Sequence, residues 1–228
     1  GMSEMEMSDQ FRKWSTEELE SFLIEITSDI LKYKDEQGFL LDRIRDCAGQ
    51  KGTGKWTAYA AMHFQVPVTL IGEAVSARYL SAMKQERLQA SKLLKGPGVE
   101  PKVDDLPKFL DQIKYALLCS KIVSYAQGFL LLRSAARENN WNMNYGSIAL
   151  LWRGGCIIRS AFLNNIKAAY VRNPNLTNLL NDPYFANIIE LTQESWRRVV
   201  ANACLWGIPV PAMSAALSYY DGYRLEKL

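Results

Sequence analysis

Apolar residues in this chain recur at three- and four-residue steps, and no segment alternates cleanly with period two. That pattern makes helices, not a sheet, the organising element. Leu19, Phe22, Leu23, Ile26, Ile30 and Leu31 follow at helical spacing, as do Phe109, Ile113, Ala116, Leu117, Ile122, Phe129 and Leu130. Ser15-Thr16-Glu17-Glu18 reads as a capping box with Ser15 as N-cap, opening a helix that ends near Tyr33. Ahead of it, residues 1–13 are polar and Met-rich and are expected to be disordered or frayed, with Gly1 before Met2 as a tag scar. Residues 34–40 read as a loop. Further helices are predicted over 56–64, 67–94, 107–138, 145–171, 183–206 and 211–224. Pro67 suits a first helical turn, and Lys95-Gly96-Pro97-Gly98 marks a stop. Gly154-Gly155 falls inside the 145–171 helix at a cost of about 2 kcal/mol, which points to close packing of another backbone. The expected fold class is all-α, with one multi-helix domain over residues 14–228.

A faint repeat supports two related helical halves. Val66-Pro67-Val68 through Ala74 is echoed by Ile208-Pro209-Val210 through Ala216, 142 residues later.

Composition narrows the function classes. With 228 residues, the chain can bury about 70% of its unfolded surface. A net charge of +3, dispersed among acids, gives no reason to expect nucleic acid or a membrane surface as partner. The six Trp and eleven Tyr lie in apolar helical patterns and read as core rather than base-stacking platforms. Cys47, Cys119, Cys156 and Cys204 are far apart and His63 is the only histidine, so no metal site is expected. Reduced thiols and a cytoplasmic location are the simplest account. No apolar stretch is expected to reach the roughly 20 residues that span a bilayer.

The chemistry concentrates in Ile44-Arg45-Asp46-Cys47-Ala48-Gly49-Gln50-Lys51-Gly52-Thr53-Gly54-Lys55-Trp56. Glycines let backbone approach a ligand, lysines bring mobile charge, and a following helix offers N–H groups and its positive dipole end. Those parts together suit a phosphate. Gly49-x-x-x-x-Gly54-Lys55 fits most of a P-loop, but Trp56 stands where a Ser or Thr hydroxyl is needed for magnesium. The glycine order also reverses the dinucleotide G-x-G-x-x-G. Spacing alone leaves open a phosphate cradle or a glycine turn carrying solvated lysines.

The same run resembles, position by position, the signature of 6-phosphogluconate dehydrogenase: aliphatic, any residue, Asp, two free positions, a small residue, Gln/Asn/Ser, then Lys-Gly-Thr-Gly-x-Trp. Ile44, Asp46, Gly49, Gln50, Lys51, Gly52, Thr53, Gly54 and Trp56 fill it. Residues 66–75, Ser124-Tyr125-Ala126-Gln127-Gly128-Phe129, residues 151–160 and Tyr220-Asp221-Gly222-Tyr223-Arg224 resemble further blocks of that family's C-terminal domain, in order. The resemblance implies a duplicated helical domain for substrate binding and dimerisation. It implies that Lys51 grips the phosphate of 6-phosphogluconate and that Arg78, which borders the apolar stripe of Ile71, Ala74 and Val75 and is expected to be partly desolvated there, does the same. Gly52, Thr53, Gly54 and Lys55 stand as a possible second layer. Arg153, Arg159, Arg197 and Arg198 read instead as solvated faces or ion pairs.

In the family, 6-phosphogluconate is oxidatively decarboxylated to ribulose 5-phosphate in the pentose phosphate pathway, with NADP taking the hydride. The cofactor domain, a helix with the general-base lysine and general-acid glutamate, and a tail reaching the partner subunit are not matched in this chain. The expectation is therefore no catalytic residue here, no tight NADP binding, weak 6-phosphogluconate binding at most, homodimerisation and an inactive isolated chain. The alternatives are a non-catalytic helical scaffold and a true nucleotide-binding P-loop.

Overall fold

The computed structural model of the chain describes residues 1–49 and 51–228. In chain order the helices are α1 (Glu4–Trp14), α2 (Phe22–Lys32), α3 (Thr53–His63), α4 (Thr69–Ala82), α5 (Lys84–Leu93), α6 (Leu106–Glu138), α7 (Tyr145–Leu151), α8 (Phe162–Arg172), α9 (Pro183–Leu205) and α10 (Pro211–Tyr223). Among the described residues the only strands are β1 (Lys34–Asp35) and β2 (Gly38–Phe39), an antiparallel pair with Lys34 opposite Phe39. The chain is all-α. It divides into two compact units, where sequence reasoning drew one domain from residue 14: Gly1–Arg45 with Met143–Leu176, and Asp46–Asn142 with Thr177–Leu228.

In the first unit α1 packs on α2 and α7 on α8. The expected fraying of residues 1–13 is corrected here. Ser3 caps α1 in a capping box, its N–H donating to Glu6 Oε2 at 2.7 Å while Glu6 N–H donates to Ser3 Oγ at 3.3 Å. Met7, Phe11 and Trp14 then recur at helical spacing, and Trp14 is buried. Ser8 and Ser28 are small enough to bring α1 and α2 close, each hydroxyl donating to the other's carbonyl at 2.7 and 2.9 Å. Ser15 closes α1 instead of opening a helix, its hydroxyl donating to the Arg12 carbonyl, and α2 starts only after Ser21. The helix expected over 145–171 is two helices. Gly154-Gly155 lies between α7 and α8, with Gly155 at φ +65°, so the pair serves a turn. A Cβ on either would meet nothing within 4 Å, which removes the close-packing explanation.

In the second unit α6 is the spine. Asp105 caps its first turn by accepting from Lys108 N–H. Its 33 residues span about 50 Å, and α4, α9 and α10 pack along it. It is also long and apolar enough to cross a membrane, at a mean hydropathy of 1.4 over its most apolar window, a stretch that sequence reasoning passed over. Its Ala116, Leu118, Cys119, Ile122, Val123, Ala126 and Phe129 are buried in the fold. Burial raises the Cys119 thiol to about 11, with a contact to Thr192 Oγ1 pulling the other way. Gln127 is a fully buried polar residue on this spine. Its Oε1 accepts from Leu70 N–H at 3.1 Å and its Nε2 donates to Thr69 Oγ1 at 3.0 Å, so it caps α4, whose own N-cap Val68 offers no side-chain acceptor.

The sequence echo is a structural repeat. α3 ends at residue 63 and α9 at residue 205; α4 starts at 69 and α10 at 211. Both junctions close the same way. Gln65 and Gly207 are left-handed at φ 54° and 68°, and Val66 N–H and Ile208 N–H each return 2.8 Å to a carbonyl five residues back. A proline follows each, then a valine at ψ 54°, and the second helices α4 and α10 pack together. Residues 67–94 are not one helix, however: Met83, at ψ 44°, breaks them into α4 and α5.

The second copy carries its own tie. Arg197 on α9 donates bidentately to Asp221 on α10 at 2.8 and 2.5 Å, and Arg224 adds a third bond at 3.0 Å. These donors, Arg197 first, hold the Asp221 carboxyl below its usual 3.8. A depressed folded value means the stabilisation is present above about pH 3.8 and is lost as pH falls through the folded value. Asp221→Asn is expected to destabilise by about 1 kcal/mol at pH 7, the pair being a third exposed. The deficit should shrink as pH falls from 3.8 through the depressed folded value in calorimetric melts.

Candidate functional site

The glycine-lysine run lies in the second unit from Asp46 onward and ends inside α3. Gly52 is the N-cap of α3 at φ +115°, a left-handed backbone that glycine adopts without strain. The Trp56 ring closes over it, 3.5 Å from where a Cβ would stand. α3 starts at Thr53, not near Trp56 as expected, so Thr53, Gly54 and Lys55 form its first turn and direct N–H groups outward. Lys51 immediately precedes this turn and is exposed. Gln50 lies outside the described residues.

Arg78, on α4, comes to the same loop. Its guanidinium donates to the carbonyl of Gly49, two residues before Lys51. Sequence reasoning placed Arg78 on the border of an apolar stripe, partly desolvated. It is exposed instead, because α4 buries only Val75. Among the described residues neither Lys51 nor Arg78 stands in an ion pair with a carboxylate, which leaves both cations available to an anionic ligand. Lys55 points its ammonium toward the Tyr59 ring, 5.5 Å from the centroid. Arg159 pairs with Glu25, Arg197 with Asp221 and Arg198 with Glu194, so these three are ion-pair partners, as the sequence suggested.

Three residues that sequence reasoning gave no role, Ser81, Lys84 and Arg87, hold the loop. Asp46 Oδ2 receives Lys84 Nζ at 2.8 Å and Arg87 Nη2 at 3.2 Å, and Arg87 Nη2 also donates to the Asp46 carbonyl at 2.9 Å. Ser81 Oγ accepts from Ala48 N–H at 3.0 Å and donates to the Arg78 carbonyl at 2.7 Å. Lys84, then Arg87, hold the Asp46 carboxyl below the ordinary carboxylate range. The available signal was spacing: Arg78, Ser81, Lys84 and Arg87 stand at three-residue steps. Beside the loop, α3, α4 and α10 line a groove of about 1120 Å³ that includes Lys55, Tyr59, Met62, Glu73 and Tyr79.

Known proteins match this chain along its whole length. A family model described as "6-phosphogluconate dehydrogenase, C-terminal domain" matches residues 1–228. The chain is 70% identical to a decarboxylating 6-phosphogluconate dehydrogenase of Ceratitis capitata over 228 residues, covering all of this chain and 47% of that protein. It is 58% identical to the enzyme of the same name in Homo sapiens, again with 47% of that protein covered. A solved Plasmodium falciparum 6-phosphogluconate dehydrogenase, studied in apo form, with its cofactor NADP+ and with its substrate 6-phosphogluconate, superposes with a TM-score of 0.94 at 40% identity. That likeness covers all of this chain and 49% of the other. The chain thus spans about half the length of the relatives it matches.

Proposed function

Since the chain belongs to the family of the 6-phosphogluconate dehydrogenase C-terminal domain, we propose that it supplies the substrate-phosphate anchors and dimer interface of a decarboxylating enzyme that uses NADP. The observation that carries this reading is Arg78 hydrogen-bonded to the loop that bears Lys51. A sugar phosphate at this loop meets an ammonium, a guanidinium fork and the first turn of α3. The phosphate is remote from the carbons that react, so its binding orients them. Lys51 and Arg78 bind and position; no proton or hydride step is assigned to a residue of this chain. Exposed Tyr59, Met62, Tyr79 and Leu80 on α3 and α4 support burial against a second copy. A cytoplasmic setting belongs to the same proposal.

Two measurements test the reading on the purified chain. Titration calorimetry with millimolar 6-phosphogluconate should give saturable heat, and absence of heat would remove the anchor role. With NADP added, the chain alone should form no NADPH by absorbance, and turnover would refute its catalytic incompleteness.

A further inference from the structure

We propose that Ser81, Asp46 and Arg87 are positioning residues that order the loop on which Lys51 stands, by fastening it to the corner between α4 and α5. This rests on the phosphate reading above. The fastening is a ladder. Asp46 is gripped at its carboxylate and its carbonyl, Ala48 at its N–H, and Gly49 at its carbonyl. The gripping residues are Arg87, Ser81 and Arg78, which climb the α4–α5 corner in order as the loop descends past it. Ser81, Lys84 and Arg87 are half-buried while their neighbours at 82, 83, 85 and 86 are exposed, so this one stripe faces the loop. The Met83 break turns α5 so that Arg87 Nη2 reaches both Asp46 and the Ser81 carbonyl, the latter at 3.0 Å.

The ladder also sorts charge. Asp46 engages Lys84 and Arg87, two cations that would otherwise compete for the anion, and leaves Lys51 and Arg78 to receive it. A flexible glycine-rich loop loses conformational freedom when it closes on a ligand. A loop already ordered at three handles, Asp46, Ala48 and Gly49, loses less, so removing a handle weakens affinity without any lost ligand contact.

The test pairs Ser81→Ala with Asp46→Asn and uses Ser91→Ala as control, since the Ser91 hydroxyl bonds only to the Leu88 carbonyl on its own helix. Amide hydrogen exchange is read at Cys47, Ala48, Gly49 and Lys51, with melting temperature and 6-phosphogluconate affinity by calorimetry. Ser81→Ala is expected to speed exchange at Ala48 and Gly49 and to weaken affinity, each by about fivefold, the effect of one ordinary hydrogen bond. Asp46→Asn should do the same at Cys47 and Ala48, and Ser91→Ala should do neither. Unchanged loop exchange in both variants overturns the proposal, as does faster exchange with unchanged affinity. A wild-type chain that binds no 6-phosphogluconate overturns the phosphate reading instead, and the exchange measurement still decides whether the ladder orders the loop.

Discussion

Replacing Lys51 and Arg78 together by alanine should abolish detectable 6-phosphogluconate binding while leaving the fold intact. Hydrogen bonds to charged groups contribute about 1.5–3 kcal/mol each, so either single change should weaken binding roughly tenfold to a hundredfold. Loss of both moves a weak ligand beyond calorimetric reach. Arg78→Lys discriminates charge from shape. It keeps the cation but loses the planar fork and the bond to the Gly49 carbonyl, and it should fall most of the way to the alanine variant. Both side chains are exposed, so melting temperatures should stay within about 2 °C of the parent. An Arg78→Ala chain that binds normally would mean that Arg78 neither meets the phosphate nor orders the loop for it.

The second large effect lies away from the ligand. Gln127→Leu should destabilise by about 2–3 kcal/mol, lowering the melting temperature by roughly 5–10 °C. Leucine fills similar space, so the loss is not a cavity. It strips the acceptor from Leu70 N–H and the donor from Thr69 Oγ1, both at the start of α4. A helix start whose N–H groups lose their partner in a half-buried site loses more than an exposed cap would. Because α4 carries Arg78, affinity for 6-phosphogluconate should weaken as well. A Gln127→Leu chain as stable as the parent would show that water or a shifted backbone replaces the cap.

Much of this was legible in the residues. The three-and-four spacing gave all-α, and the Pro67 and Pro209 echo foretold a repeat whose two junctions close with the same 2.8 Å bond. The glycine-lysine run marked the loop, because glycine and lysine at such density have few structural uses. What stayed hidden is tertiary. The break at Met83 carries no glycine or proline, so nothing local announces it. Gln127 sits in an apolar run and looks like an ordinary surface position until its helix is wrapped by others. The Ser3 capping box was readable from Ser3-Glu4-Met5-Glu6, but the polar, Met-rich stretch around it hid α1, and the rival motif at Ser15 drew the start of the next helix too early, ahead of Ser21. Asp46 belonged to the recognised signature, yet its partners Lys84 and Arg87 lie far along the chain, and only folding brings them together.

A crystal of this chain grown with 6-phosphogluconate would show whether the loop before α3 and the arginine on α4 hold one phosphate. Phosphate oxygens are expected within about 3 Å of both Lys51 Nζ and the Arg78 guanidinium, the separation of a charge-assisted hydrogen bond. A phosphate bound elsewhere, with these two side chains left in solvent, would contradict it.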